Sequence, residues 1–261
     1  MLDIGVAQTQ GKRGYQEDAV NNLIYSSGLT LSVLSDGMGG AVHGEIASRE
    51  ILAAFLDSFR NSDNDDLAAR LYTGVDHANR HLNAYIGQYP ECDGMGGTLL
   101  ATLYTGDRLE WVSVGDSPLW LVRNGEIMRI NEDHSRKAQI QALVQQGQMT
   151  AEEAANHPER NQVTSAVMGY EVALLDMNSI EARPGDLFLL ASDGIESVSE
   201  TELLQICQQC ADAEAQALAE QVIQYVDQLD RPYQDNATLA VLKVGQFDGD
   251  TEESNEAEVT K

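Results

Sequence analysis

Apolar positions in this chain gather into short runs that end on carboxylates. Leu29, Leu31, Val33 and Leu34 form one such run, with β-branched character, which predicts a strand with at least one buried face. It ends at Asp36, and Gly37, Gly39 and Gly40 follow. Glycine permits positive φ and close backbone approach, so a tight turn exposing bare amides and carbonyls is expected there. Leu187 to Gly194 repeats the pattern and closes on Asp193-Gly194, while Trp111 to Ser117 closes on Gly115-Asp116-Ser117. Near the C-terminus the order inverts, and Asp235-Asn236 precedes the run Ala237 to Val244.

Other segments alternate or follow a helical stripe. Asp3 to Thr9 reads as an edge strand and Ala19 to Tyr25 as a strand, with a turn at Ser26-Ser27-Gly28. Glu45 to Phe59 places Ile46, Ala47, Ile51, Leu52, Phe55 and Leu56 on one stripe, and Leu67 to Ile86 does the same with Leu71, Val75, Ala78, Leu82 and Tyr85. Both predict amphipathic helices. Thr98–Thr105, Leu109–Val114, Leu119–Arg123 and Glu126–Ile130 alternate, with turns at Gly106-Asp107 and Asn124-Gly125, so an antiparallel meander is expected. Asn178–Ala182 and Asp186–Ala191 read as an antiparallel pair around Pro184-Gly185. Glu200–Cys210 and Ala213–Leu229 are two further helices. Residues 136–161 are polar and helix-prone, with Gly147 interrupting. Pattern alone supports an α+β fold with antiparallel sheet.

Composition narrows the class. A chain of 261 residues with 43% hydrophobic content can bury a substantial core. Its formal charge of −26 disfavours nucleic acid and anionic membranes as partners. No stretch approaches the ~20 apolar residues of a membrane span, and the N-terminus lacks the pattern of a signal peptide. Three cysteines suit a reducing compartment, so a cytoplasmic location is expected. Asp248 to Lys261 carries six acidic residues and one basic, so 246–261 is expected to be a disordered acidic tail.

The chemistry follows from the strand ends. Any single strand-end aspartate reads most simply as a turn cap. Four at equivalent places favour a cluster that holds cations, and hard oxygen ligands suit Mg2+ or Mn2+ rather than zinc. A positive partner is expected at Asp36. In the loop Gly11 to Asp18, Arg13 could serve as a phosphate fork, with Glu17 and Asp18 as extra ligands to metal or water, although a solvated charged loop is the simpler reading. His77 and His81 lie at i, i+4 without a third ligand nearby, and Cys207 and Cys210 form a lone CxxC within a helix. Both pairs read as ordinary helix faces.

The motif R-x-x-Q-E-D (Arg13 to Asp18), a strand, and then S-D-G-M-G-G (Ser35 to Gly40) resembles the opening of the metal-dependent protein phosphatases of the PPM type, the type 2C class. Gly96-Gly97-Thr98, Val114-Gly115-Asp116-Ser117, Asp133-His134-Ser135, Ser192-Asp193-Gly194 and Asp235-Asn236 follow in that family's order, so the resemblance spans about residues 2–245. It implies one phosphatase domain over 1–245, with a flap at about 136–161, and a four-layer αββα sandwich of two central antiparallel sheets between helix pairs. It implies a protein serine/threonine phosphatase that uses two Mn2+ or Mg2+ ions and direct attack by a hydroxide held by them, without a phosphoenzyme. Asp36 would bridge both ions, the Gly37 carbonyl would ligate one, and Asp193 and Asp235 would complete the other's shell. Glu17 and Asp18 would act through water, Arg13 would grip the phosphate, and Asp116 would share a third ion with Asp193. Phosphoprotein substrates, a partner serine/threonine kinase and a monomeric state follow from the same resemblance.

Three positions depart from the family. Gln16 stands where asparagine is usual, and Met38 stands where animal members carry a histidine that could protonate the leaving alcohol. Thr164-Ser165-Ala166-Val167-Met168-Gly169 lacks the arginine of the usual T-R-A-L-G. The flap holds Arg136, Lys137 and Arg160, positive charges expected to help admit phosphoprotein. The alternatives are a pseudophosphatase that binds phosphoproteins without turnover, and a metal phosphohydrolase of small molecules.

Overall fold

A computed structural model describes residues 2–25, 28–39, 42–160 and 162–245. The expected turn at Ser26-Ser27, the last glycine of the Asp36 turn (Gly40), and the acidic tail lie outside the described residues. Two antiparallel sheets are stacked at the centre. One takes the order β1 (Leu2–Thr9), β11 (Ala237–Val244), β10 (Leu187–Ala191), β7 (Leu119–Arg123), β8 (Glu126–Arg129). The other takes the order β2 (Asp18–Ile24), β3 (Thr30–Met38), β5 (Leu99–Tyr104), β6 (Arg108–Val114), β9 (Asp176–Glu181), and the short β4 (Gly96–Gly97) pairs with the end of β3. Helices α1 (Val42–Asn61) and α2 (Leu67–Gln88) cover the second sheet, and α5 (Glu200–Gln209) and α6 (Ala215–Gln228) cover the first.

The central strands are buried on both faces, yet alternation still assigns each side chain to a layer. On β5, Leu99, Ala101 and Leu103 pack with Ile51, Phe55 and Leu71 of the outer helices. Leu100 and Tyr104 of the same strand point into the dry layer between the sheets. On β10, Leu187, Leu189 and Ala191 join Leu203, Leu218 and Val222 of α5 and α6, while Phe188 and Leu190 join the middle layer. Three apolar layers separated by two sheets make the αββα sandwich.

Two expected pairings are corrected. The meander is broken: β5 and β6 form a hairpin in one sheet, and β7 and β8 form a hairpin in the other. The chain crosses between sheets at residues 115–118, where Gly115 takes φ +107°, and this crossing carries Asp116. Asn178–Ala182 does not pair with Asp186–Ala191 either. β9 pairs with β6, β10 pairs with β7 and β11, and Pro184-Gly185 passes from one sheet to the other. Alternation tells a strand which face is buried; it does not choose the neighbour. A smaller difference concerns β3, which runs beyond Asp36 because Gly37 and Met38 pair with Gly97 and Gly96.

The excursion after β8 folds as α3 (Arg136–Gln145) and α4 (Ala151–Ala155). The Ser135 hydroxyl caps α3, and Thr150 with Glu153 forms a capping box on α4.

Candidate metal centre

Asp36 on β3 stands directly opposite Asp18 on β2. Like charges in cross-strand register repel, so both carboxylates must be held by something other than each other. The backbone around Asp36 is fixed tightly. Asp36 N donates to Thr98 Oγ1 at 2.9 Å, Thr98 N donates to the Asp36 carbonyl at 2.8 Å, and Gly37 N donates to the Glu17 carbonyl at 3.1 Å. A Cβ on Gly37 would lie 2.0 Å from the Gly44 carbonyl oxygen, so only glycine lets the start of α1 close over this strand end.

Asp18 Oδ2 accepts hydrogen bonds from Ser192 Oγ at 2.7 Å and Thr238 Oγ1 at 2.6 Å. Ser192 and Thr238 belong to the other sheet's strand ends, so this buried carboxylate ties the two sheets together at one edge. Asp193 follows β10, Asp235 precedes β11, and Asp116 sits at the crossing after β6. Asp36, Gly37, Asp116, Asp193, Asp235, Glu17 and Arg13 all line one cleft of about 230 Å3. Asp18 does not line the cleft; it is buried across the strand pair from Asp36.

Burial and mutual repulsion raise these acids. Asp36 is pushed well above the usual carboxylate range, first by burial and then by Asp18, Asp193, Asp116 and Asp235. Burial followed by Asp116 and Asp235 lifts Asp193 to about 7. Asp18 rises to about 6 by burial, against the pull of its two hydroxyl donors. Asp116 also reaches about 6 by burial, against the pull of Lys137. Burial raises Glu17 too. The expected cation at Asp36 is not supplied by the described residues. Arg13 instead pairs with Asp235 at 2.5 Å, and that is the one ion pair these carboxylates make among the described residues.

The donor set fits divalent cations. Glu17 Oε1, Asp18 Oδ1 and Asp116 Oδ2 are buried and have no hydrogen-bond partner. Buried oxygens of this kind are costly unless a cation or water meets them. Among the described residues no three carboxylate, imidazole or thiol groups already stand close enough together to hold a metal ion between them. The carboxylates ring an open cleft, which suits hard ions that keep part of their water shell.

Four residues outside the expected ligand set build the site. Asn236 accepts from Glu17 N at 2.8 Å and donates through Nδ2 to the carbonyls of Gln10 and Tyr15 at 2.8 and 2.9 Å, which shapes the loop that carries Arg13. Thr98 holds Asp36, and Ser192 and Thr238 hold Asp18. Each is a small polar residue beside a strand end, a signal visible in sequence, but the partners depend on register between distant strands. Elsewhere, His81 lies 2.6 Å from Glu50 on α1 instead of joining His77, and burial pushes the Cys207 thiol up to about 12. In the flap, Arg136 pairs with Glu159 at 2.5 Å and Lys137 pairs with Glu196, so two of its three highlighted cations are already neutralised.

The Protein phosphatase 2C family matches this chain over residues 10–239. The chain belongs to that family. The serine/threonine protein phosphatase PstP of Mycobacterium tuberculosis is 37% identical to this phosphatase 2C chain over 238 residues, which is 90% of this chain and 43% of PstP. The chain thus spans less than half the length of that relative. Protein phosphatase PhpP of Streptococcus pneumoniae is 30% identical over 202 residues, covering 75% of this chain and 79% of PhpP. A solved catalytic domain of PstP, in complex with two manganese ions, superposes with a TM-score of 0.78 at 34% identity, covering 94% of this chain and 99% of that domain. The phosphatase 2C sandwich and this one are the same fold. No helix among the described residues is long and apolar enough to cross a membrane.

Proposed function

We propose that the protein hydrolyses phosphoserine and phosphothreonine in proteins, with two Mn2+ or Mg2+ ions bound at the carboxylate cleft. The observation that carries this reading is the set of buried, partnerless oxygens on Glu17, Asp18 and Asp116 around an Asp36 that no side-chain cation neutralises. The relatives' names, and the two manganese ions in the PstP domain, support the same chemistry.

Divalent cations bound there would supply Lewis acidity toward the phosphoryl oxygens and toward water. Asp36, the Gly37 carbonyl, Asp193 and Asp235 are the groups that would hold two ions, and Asp116 with Asp193 would hold a third. Glu17 and Asp18 would accept hydrogen bonds from water and fix its orientation. Arg13 is paired with Asp235 in the structure, and a cation held by that carboxylate would release it. Its guanidinium would then hold two phosphate oxygens in a bidentate grip. Met38 cannot donate a proton, so the leaving alkoxide must be protonated by water or by another group. On this reading the phosphatase unit is residues 1–245, with 136–161 as its flap, and it acts on the products of a serine/threonine kinase. The three free thiols agree with a reducing, cytoplasmic setting.

Phosphate release from phosphothreonine and phosphotyrosine peptides, measured with Mn2+, with excess chelator and in Asp36→Asn, tests the proposal. Mn2+-dependent turnover of phosphothreonine that Asp36→Asn abolishes is the expected result. Bound metal without turnover of either peptide would make the protein a binding module. A preference for phosphotyrosine or small esters would overturn the substrate class.

A further inference from the structure

A second groove, of about 460 Å3, opens beside the carboxylate cleft. Met38 and Val163 line both, so the two are continuous. Met38, Val163, Ala166, Met168 and Tyr170 give the groove an apolar lining, and Glu171 is the one charged residue among the described residues that line it. Tyr170 is 62% exposed and its hydroxyl donates to Met168 Sδ at 2.9 Å. An exposed tyrosine beside a thioether presents apolar surface that nothing in the described chain covers.

The groove is built in advance. Asn79 Nδ2 donates to the Tyr170 carbonyl at 2.7 Å, Asn83 Nδ2 donates to the Gly169 carbonyl at 2.6 Å, and Gly169 N donates to Asn79 Oδ1 at 2.8 Å. Ser165 is buried and exchanges hydrogen bonds with the Leu174 backbone at 2.8 and 2.9 Å. Its hydroxyl staples the loop shut, and none of the described residues lining the groove is basic. A wall so tied to α2 loses little freedom when it is covered.

Its distance from the phosphate position follows from the strand ladder. Gly37 pairs with Gly97, and Gly97 exchanges backbone hydrogen bonds with Val167 at 3.0 and 2.9 Å. Two inter-strand spacings put Val167 about 10 Å from Gly37. An extended peptide covers that in about three residues, at roughly 3.3 Å each.

On the proposed phosphatase reading, we infer that this groove is a specificity subsite for an apolar side chain of the phosphoprotein, two to four residues from the phosphorylated serine or threonine. Continuity with the catalytic cleft makes the substrate's own strand the occupant. Glu171 at the rim disfavours an acidic side chain there.

The test uses the full chain with Mn2+ and phosphothreonine peptides in which one leucine is walked from four residues before to four residues after the phosphothreonine, in a serine-glycine background. Leucine within the two-to-four window, on one side only, is expected to raise kcat/KM about tenfold, and aspartate at the same place to lower it. Tyr170→Ala and Met168→Gln should each remove the leucine gain, Tyr170→Phe should keep it, and turnover of a small aryl phosphate should stay unchanged in all three. A flat leucine scan, or a gain that survives both Tyr170→Ala and Met168→Gln, overturns the subsite. If the unmodified protein turns over neither peptides nor the small ester, the phosphatase reading fails and the subsite falls with it.

Discussion

Strand β10 has an aspartate at each end, and the molecule treats the two in opposite ways. Asp186, just before the strand, is 2% exposed. Arg123 Nε and a terminal guanidinium nitrogen donate to its two oxygens at 2.8 and 2.6 Å, and Arg183 N adds a third bond at 2.7 Å. Asp193, just after the strand, makes no ion pair among the described residues, and burial with Asp116 and Asp235 lifts it to about 7. A carboxylate that serves the fold is paired within the chain. On the proposed metal reading, Asp193 is a carboxylate kept for an outside cation: it is left with neighbours of its own sign and folding does not stabilise it, whereas Asp235 of the same cluster is held by Arg13.

The largest effect that could break this contrast is on turnover. Asp36→Asn removes a charge from the repelling cluster, so it should lower Mn2+-dependent phosphate release at least about a thousandfold, the loss of several kcal/mol of electrostatic stabilisation. In chelator the same variant should melt no lower than the parent, because repulsion is relieved. A clearly lower melting point in chelator would mean that Asp36 is structural. Asp186→Asn is the mirror case. It leaves Arg123 facing a neutral partner and should cost roughly 3 kcal/mol of stability, with turnover per folded molecule unchanged. Denaturant unfolding together with active-site titration separates the two.

The pH dependence sharpens the comparison further. Asp18 and Asp116 at about 6 and Asp193 at about 7 bind protons more tightly in the folded state than in the unfolded chain, where aspartate titrates near 3.9. Their contribution to stability is therefore fully present below about pH 4 and is lost as pH rises through 6–7. Chelated protein should melt lower at pH 8 than at pH 5. Added Mn2+ should stabilise little at pH 5 and more at pH 8, since the ions need the ionised carboxylates. Equal metal-induced shifts at both values would detach the bound metal from these acids.

Much of this contrast lies beyond what the sequence makes legible. Every strand but the two-residue β4, which falls in a stretch that reads as a loop, was legible because its apolar run is bounded by glycine, proline or a carboxylate, and the ring of acids was legible because Asp36, Asp116, Asp193 and Asp235 all sit on such boundaries. Asp186 sits on one too, beside Gly185, and apart from the family motif Ser192-Asp193-Gly194 nothing in the local pattern distinguishes it from Asp193. The distinction is made by Arg123, which lies 63 positions away and meets Asp186 only because β7 and β10 are neighbours. Strand neighbours are illegible for the same reason: β9 alternates equally well beside β6 or β10. Asn236, Ser192 and Thr238 acquire their roles only when the two sheets bring the Arg13 loop and Asp18 to the ends of β10 and β11.

The smallest test concerns a carboxylate satisfied in a third way, by neutral donors. Glu202 accepts from Ser199 N and Oγ at 3.0 and 2.6 Å and from the Tyr225 hydroxyl at 2.8 Å, closing the capping box of α5. Hydrogen bonds from the Ser199 hydroxyl, its N–H and the Tyr225 hydroxyl hold Glu202 down at about 2. A depressed acid stabilises above its unfolded value near 4.3 and loses that contribution as pH falls toward 2. Ser199→Ala should therefore lower the melting temperature at neutral pH by roughly 2–4 °C, as a lost helix cap does in a domain of this size. The deficit should shrink as the pH is taken from 5 to 2.5, where protonation of Glu202 weakens the same box in the parent. Turnover and metal-induced stabilisation should not change, because Glu202 belongs with Asp186 among the carboxylates that the chain satisfies itself. A Ser199→Ala variant that altered metal-induced stabilisation would show that satisfaction within the chain does not separate fold from site, and would undo the contrast between the two ends of β10.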